Sequence, residues 1–167
     1  MKIIVGVRQK SSNWSRTHFK TLLAMLTPVL LGIGPCGPIP GGPLEGKVNQ
    51  TAIKDFRFVD NVNNCLLEVE PSDPHSVTVN CWSVGKQLYI GCKDCDGKTW
   101  STILNQTPFA RIKIGEALYR VKAYRLTDVG AIARAWNIRW SKYEANPDPE
   151  PVPKGYWLYH LGSKPTG

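Results

Sequence analysis

A mainly β, α+β domain of six to seven strands and two helices is what this 167-residue sequence predicts. Three observations lead there. Runs at 75–84, 87–91, 109–114 and 117–126 are rich in β-branched and aromatic residues and alternate apolar with polar side chains, the two-residue period of a half-buried strand. Gly85-Lys86 and Gly115-Glu116 separate pairs of these runs, where hairpin turns belong. Two other segments, 96–106 and 129–143, repeat their apolar residues at helical spacing.

The chain opens with Lys2, Arg8, Lys10, Arg16 and Lys20, all before the first acidic residue, Glu45. Residues 21–34 are an apolar run, shorter than the roughly 20 residues that span a bilayer comfortably, whereas the window 19–39 is long enough. An uncleaved signal-anchor helix within residues 1–36 is expected, with a cleaved secretion signal as the alternative. The basic flank places the N-terminus in the cytoplasm and the rest across the membrane. Gly and Pro crowd 37–47, an expected extended spacer, so the folded domain is expected over 48–167.

Within that domain, 56–59 suits a short strand or surface arm, and 65–70 a strand closed by Pro71. The helix over 96–106 carries Trp100, Ile103 and Leu104 on one face and is stopped by Pro108. Over 129–143, Ile132, Ala135, Trp136, Trp140 and Tyr143 form one stripe, expected to pack over an end of the barrel. The Pro-rich stretch 147–153 must be an extended connector, and 155–161 a last strand.

The formal charge of +8 is concentrated in the leader, because the chain beyond it holds 16 basic and 13 acidic residues, a net +3. Arg111, Lys113, Arg120, Lys122 and Arg125 are expected on the solvated face of a sheet. No stacking motif accompanies them, so no nucleic-acid partner is expected. Cys92-Lys-Asp-Cys95 has no second cysteine or Cys/His pair at zinc spacing, so no metal is expected. It follows a hairpin strand rather than opening a long helix after a parallel one, which fits a loop disulfide in an oxidising compartment better than a thioredoxin-like site. Cys65 and Cys81 fall on neighbouring strands, as buried thiols or as a cross-strand bridge. His75 starts a strand near the barrel rim, where a cofactor contact can be made, and His160 is expected to be structural. No Ser-His-Asp order, carboxylate pair or phosphate loop is present, and no catalytic residue is assigned.

The order of these elements, with Tyr89-Ile-Gly91, Gly97-Lys98-Thr99-Trp100, Leu104-Asn105 and the strand after Pro108, resembles the split β-barrel of the pyridoxamine-phosphate-oxidase-like and flavin-reductase-like proteins. The leader, Pro38-Ile-Pro-Gly-Gly42 and Pro74-His-Ser-Val-Thr-Val-Asn-Cys-Trp82 resemble a small membrane-anchored bacterial subgroup of that superfamily. The resemblance covers roughly residues 38–162. It implies a split β-barrel of six to seven strands with two helices, preceded by an N-terminal hydrophobic helix. It also implies a homodimer with FMN or a deazaflavin in the groove between two barrels.

Lys98 matches the basic position that holds the cofactor phosphate, Thr99 adds a hydroxyl, and the helix start adds amides and a favourable dipole. Asn80 and Trp82 would approach the ring, with His75 at the rim; Trp100 is a further ring contact, although its spacing with Ile103 and Leu104 already gives it a packing role. The pattern departs from the resemblance at Gly97, where a second basic residue is expected, and at Asn80, where cofactor-binding members carry Arg. Two functions follow. One is a membrane-tethered flavin- or deazaflavin-dependent oxidoreductase in the bacterial inner membrane with its domain in the periplasm. The other is a non-enzymatic envelope binding module, or an accessory subunit of a membrane complex, that takes no cofactor.

Overall fold

The computed structural model describes residues 41–69 and 72–164. Seven strands are found among them: β1 (Val48–Asn49), β2 (Asn64–Val69), β3 (His75–Val84), β4 (Gln87–Cys92), β5 (Phe109–Ile114), β6 (Ala117–Arg125) and β7 (Trp157–Ser163). Helix α1 (Thr99–Gln106) links β4 to β5, and α2 (Val129–Tyr143) links β6 to β7. The expected leader and signal anchor, and the spacer up to residue 40, lie outside the described residues. No helix among the described residues is long and apolar enough to cross a membrane.

The sheet runs in the order β1-β6-β5-β2-β3-β4-β7, and β7 returns to β6, so the six long strands close into an antiparallel barrel. Closure works because β6 serves two neighbours: residues 117–122 pair with β5 and residues 121–125 with β7. The remaining free edge of β6 takes β1 in parallel, at Leu118 and Tyr119. The two hairpins turn at Gly85 and Gly115, with φ of 61° and 58°, a left-handed conformation that tight hairpins demand and glycine adopts without steric cost.

Strand alternation then sorts the side chains. Leu67, Leu88, Ile90, Ile112, Val121 and Leu161 fill the interior, each contributing about 1.5 to 3 kcal/mol through removal from water. Cys65 and Cys81 form a disulfide between β2 and β3, with Cα atoms 5.9 Å apart, which resolves the choice that their spacing left open.

Four elements differ from the sequence expectation. Residues 56–59 are neither strand nor arm: Arg57–Asn61 is a 3-10 turn that buries Phe56 and Val59, three apart, and the Phe56 amide donates to Lys86 O at 2.9 Å. The expected helix over 96–106 begins only at Thr99, because Cys95–Gly97 forms its own 3-10 turn and Lys98 is extended. The last strand lies two residues later than expected, since Gly155 has φ of 79° and belongs to the preceding turn. Finally, α2 packs not over a barrel end but on the outer face of β3 and β4. There Trp82 and Tyr89 make an apolar surface that Ala135 and Leu158 bury.

Nor are the strand cations simply solvated. Glu68, 1% exposed, faces Arg111 across β2 and β5. Arg111 Nε and Nη2 donate to its two carboxylate oxygens at 2.6 and 2.5 Å. The Leu44 amide donates to the same carboxylate at 2.6 Å, and Arg111 Nη2 reaches Leu44 O at 3.3 Å. The end of the Gly/Pro stretch is therefore docked on the barrel. Arg125 breaks the alternation and lies over the Trp157 ring, 3.6 Å from its centroid.

A buried carboxylate that loses its paired cation is costly, so Arg111→Ala should lower the unfolding free energy by ~3 kcal/mol in urea titration. The double variant Glu68→Leu/Arg111→Met should recover most of that loss. Equal stability of wild type and Arg111→Ala would show that the pair is irrelevant to folding.

Candidate functional site

β4 runs directly into a ring closed by a Cys92–Cys95 disulfide, and Asp94 inside the ring is left-handed at φ 52°. Cys95 anchors the segment through its backbone. Its amide donates to Gly155 O, and its carbonyl accepts from the Lys98 amide and the Ser101 hydroxyl. Lys98 is the extended N-cap residue of α1, and no side chain caps that helix. The buried face of α1 is Trp100, Ser101 and Leu104. The Trp100 ring lies 6.2 Å from Tyr159, whose hydroxyl donates to Asn105 Oδ1 at 3.0 Å, so α1 is fixed to β7. Lys98 and Thr99 are thereby held side by side and exposed at the start of a helix, and Lys98 enters no ion pair among the described residues.

The other four residues singled out in the sequence are placed differently. Asn80 is half-buried on the outer face of β3, opposite Gly91 on β4 and Asn64 on β2. Trp82 lies two residues on along the same face, stacked at 6.4 Å on Tyr89 and fully buried beneath α2. Trp100 belongs to the barrel interior, a separate cluster from that of Trp82. His75 is half-buried at the start of β3, opposite Val69. Hence Lys98 and Thr99 come together at one place and Asn80 and Trp82 at another, while both indoles are committed to packing.

α2 is held on β3 by polar groups as well as apolar ones. Pairing with β2 ends at Asn64–Asn80, which leaves the next residues of β3 with a free edge. The Tyr143 hydroxyl accepts from the Cys81 amide at 3.0 Å, and Lys142 Nζ donates to Cys81 O and Val59 O at 2.6 and 2.9 Å. Asp60 accepts from the Ser83 amide and hydroxyl at 2.9 and 2.5 Å. Burial pushes the Lys142 ammonium below its ordinary value, with the Asp60 carboxylate opposing, and pushes the Tyr143 hydroxyl up.

Tyr156, which sequence reasoning missed, lies flat on β4 at Gly91: a Cβ there would sit 2.7 Å from the tyrosine ring. A glycine inside an otherwise β-branched and aromatic strand was the available signal. The same ring meets Trp136 edge-on at 4.8 Å, and Arg139 lies 4.9 Å from Trp136 and 5.8 Å from Tyr156. The Pro-rich connector is tied to α2 by two indoles, Trp136 donating to Glu150 O at 2.6 Å and Trp140 to Asn146 O at 2.7 Å.

Two further surfaces lie on the outside of the barrel. His160 sits between Tyr89 and Tyr124, at 5.4 and 6.0 Å, and its burial pulls its pKa down. Beside it Phe109 and Tyr124 remain 40% and 48% exposed, with Lys122 5.1 Å from the Tyr124 ring and Lys164 4.1 Å from the Phe109 ring. A groove of about 550 Å³ runs over Asn64, Leu66, Thr78 and Lys113 on β2, β3 and β5, and includes none of the six candidate residues. Among the described residues, no group of three His, Cys, Asp or Glu side chains is placed to hold a metal ion.

No protein-family model matches this sequence, and no curated protein matches it. Solved structures match in fold. A candidate pyridoxamine 5'-phosphate oxidase from Listeria innocua superposes with a TM-score of 0.51 at 10% identity, over 64% of this chain and 87% of that one. A candidate 5-nitroimidazole antibiotic resistance protein from Bacteroides thetaiotaomicron gives 0.52 at 12% identity, over 68% and 82% of the two chains. What is shared at such identities is the fold, and this chain has the split-barrel fold.

The Tyr159 anchor has a measurable pH signature. Burial holds its hydroxyl up at about 12, from 10, and the nearby Arg125 opposes that shift. A pKa raised in the folded state means that the folded protein keeps the proton longer than the unfolded chain does. The stability it confers is intact below pH 10 and is lost as pH rises through 12. Denaturation midpoints should therefore fall more steeply over that window in wild type than in Tyr159→Phe, and parallel curves would show that the Tyr159 hydroxyl is not buried in the folded protein.

Proposed function

We propose that this chain is a membrane-tethered, homodimeric split-barrel protein that binds a phosphate-bearing ligand of the flavin type, FMN or a deazaflavin, at the start of α1. The observation that carries this reading is the exposed pair Lys98 and Thr99 beside the uncapped first turn of α1. A phosphate there would gain charge-assisted hydrogen bonds and the helix dipole. The residues fit the anionic end of such a ligand, whereas Trp82 and Trp100 offer it no ring face. Asn80 and His75, both on β3, are not grouped with this pair. A bound flavin would supply hydride and electron transfer, and the chain would supply binding and orientation.

A second reading, a non-enzymatic binding module or accessory subunit, is favoured by one observation. The outer face of β3 and β4 is filled from within the chain, by α2 over Trp82 and by Tyr156 over Gly91. Titrating FMN and a deazaflavin into wild type and Lys98→Ala separates the two. If the first reading holds, wild type binds and Lys98→Ala loses ~1.5 to 3 kcal/mol, about ten- to hundredfold in affinity, with its melting temperature unchanged. Absence of binding to wild type would leave only the second.

The dimer is supported by the exposed Phe109 and Tyr124 on β5 and β6, which a second barrel would cover. Light scattering at micromolar concentration should return twice the chain mass, and a strict monomer would refute it. The tether is supported by the basic flank and apolar run of the leader. Protease added to intact spheroplasts should digest the barrel, and complete protection would reverse the orientation.

A further inference from the structure

The two disulfides differ in exposure and in the length of chain they close. Cys65 and Cys81 are 1% and 0% exposed, join two strands of the barrel and close a separation of 16 residues. Cys92 and Cys95 close a separation of only 3, and one of the pair, Cys92, is partly exposed while Cys95 is fully buried. A short ring restrains the unfolded chain less than a long one, so opening it takes less from the fold. Lys93, Asp94 and Asp96 around it are exposed, and Cys92, though packed against the core, is the more exposed of the two cysteines. Asp94, between the cysteines, is the one non-glycine residue with positive φ among the described residues.

We propose that Cys92–Cys95 is a thiol-exchange site that accepts two electrons from a dithiol at Cys92, while Cys65–Cys81 is the permanent structural bridge. One thiolate of the dithiol attacks Cys92 Sγ, the Cys92–Cys95 bond breaks, and its electron pair leaves on Cys95 Sγ, which takes up a proton. The second thiol of the reductant then attacks the reductant's own sulfur in the mixed disulfide and releases Cys92 as a thiolate, which is protonated in turn. The dithiol leaves as its disulfide, having passed two electrons and two protons to the protein. This site does not depend on any ligand at Lys98.

The exchange bears on α1 through the backbone of Cys95. Its carbonyl accepts from the Lys98 amide and the Ser101 hydroxyl, and its amide is held by Gly155 O. Opening the ring frees Cys92 and Cys95 from each other and loosens the anchor of the first turn of α1.

The test uses the oxidised full chain in mixtures of reduced and oxidised dithiothreitol without denaturant, trapped with iodoacetamide and read by peptide mass spectrometry beside circular dichroism. The expected result is alkylation of Cys92 and Cys95 while Cys65 and Cys81 remain joined and the spectrum is unchanged. Opening of both pairs together, or of Cys92–Cys95 only on unfolding, would overturn the proposal. In single variants, Cys92 in Cys95→Ser should react with a small aromatic disulfide at least about tenfold faster than Cys95 in Cys92→Ser, and equal rates would overturn entry at Cys92. Amide hydrogen exchange at Thr99, Trp100 and Ser101 should quicken in the reduced protein, and no change would overturn the link to α1.

Discussion

β3 is ten residues long and β2 six, and much of this structure follows from that mismatch. Beyond Asn80 the edge of β3 has no strand beside it, and a buried backbone amide or carbonyl left without a partner costs about 1 to 3 kcal/mol. The chain meets this with three side chains from two distant places: Asp60 on Ser83, and Tyr143 and Lys142 on Cys81. Two of the three belong to the last turn of α2. Satisfying the edge of β3 therefore brings α2 onto the outer face of β3 and β4 rather than onto an end of the barrel.

What the barrel offers a ligand follows from that docking. Trp82 and Tyr89 would otherwise be an open aromatic face; with α2 in place they are core. Tyr156 and Trp136 extend the cover to Gly91, and the connector, pinned by the indoles of Trp136 and Trp140, keeps α2 there. The start of α1 escapes this cover. Its inner side is tied to Tyr159 while Lys98 and Thr99 face solvent. The anion site proposed above rests on this exposure and on the absence of a side-chain cap at the helix start.

How much of this could be read from the sequence depended on how local each feature was. The four central strands, both hairpin turns and the bounds of α2 were legible because alternation, glycine and the helical stripe are set by neighbouring residues. The stripe gave the buried face of α2 but not the surface it would meet, which is chosen by the free edge of a strand some sixty residues earlier. Arg111 looked solvated because it alternates with apolar neighbours, and its partner Glu68 lies 43 positions away. The exposure of Lys98 and Thr99 at a helix start was legible for the same local reason. The burial of Trp82 was not, since it is imposed by Ala135 and Leu158. Gly91 did carry a usable sign of close approach, though nothing in the sequence said that Tyr156 was what approached.

The seam beneath α2 also carries a cost that helps explain its construction. Trp82 Nε1 and Arg139 Nε are buried without a protein partner among the described residues, and each such donor works against docking by about 1 to 3 kcal/mol. Apolar burial must offset both. Trp82, Tyr89 and Leu158 are nearly or fully buried there, which at roughly 25 cal/mol per Å² gives several kcal/mol. The Arg139 cation is further compensated by its ion pair with Glu144 at 3.2 Å and by the rings of Trp136, Tyr143 and Tyr156. The hydrogen bonds at Cys81 and Ser83 are then what fix the position of the helix, because apolar contact alone tolerates sliding and a paired strand edge does not. Register at this seam is thus set by the polar groups and its strength by the aromatic ones.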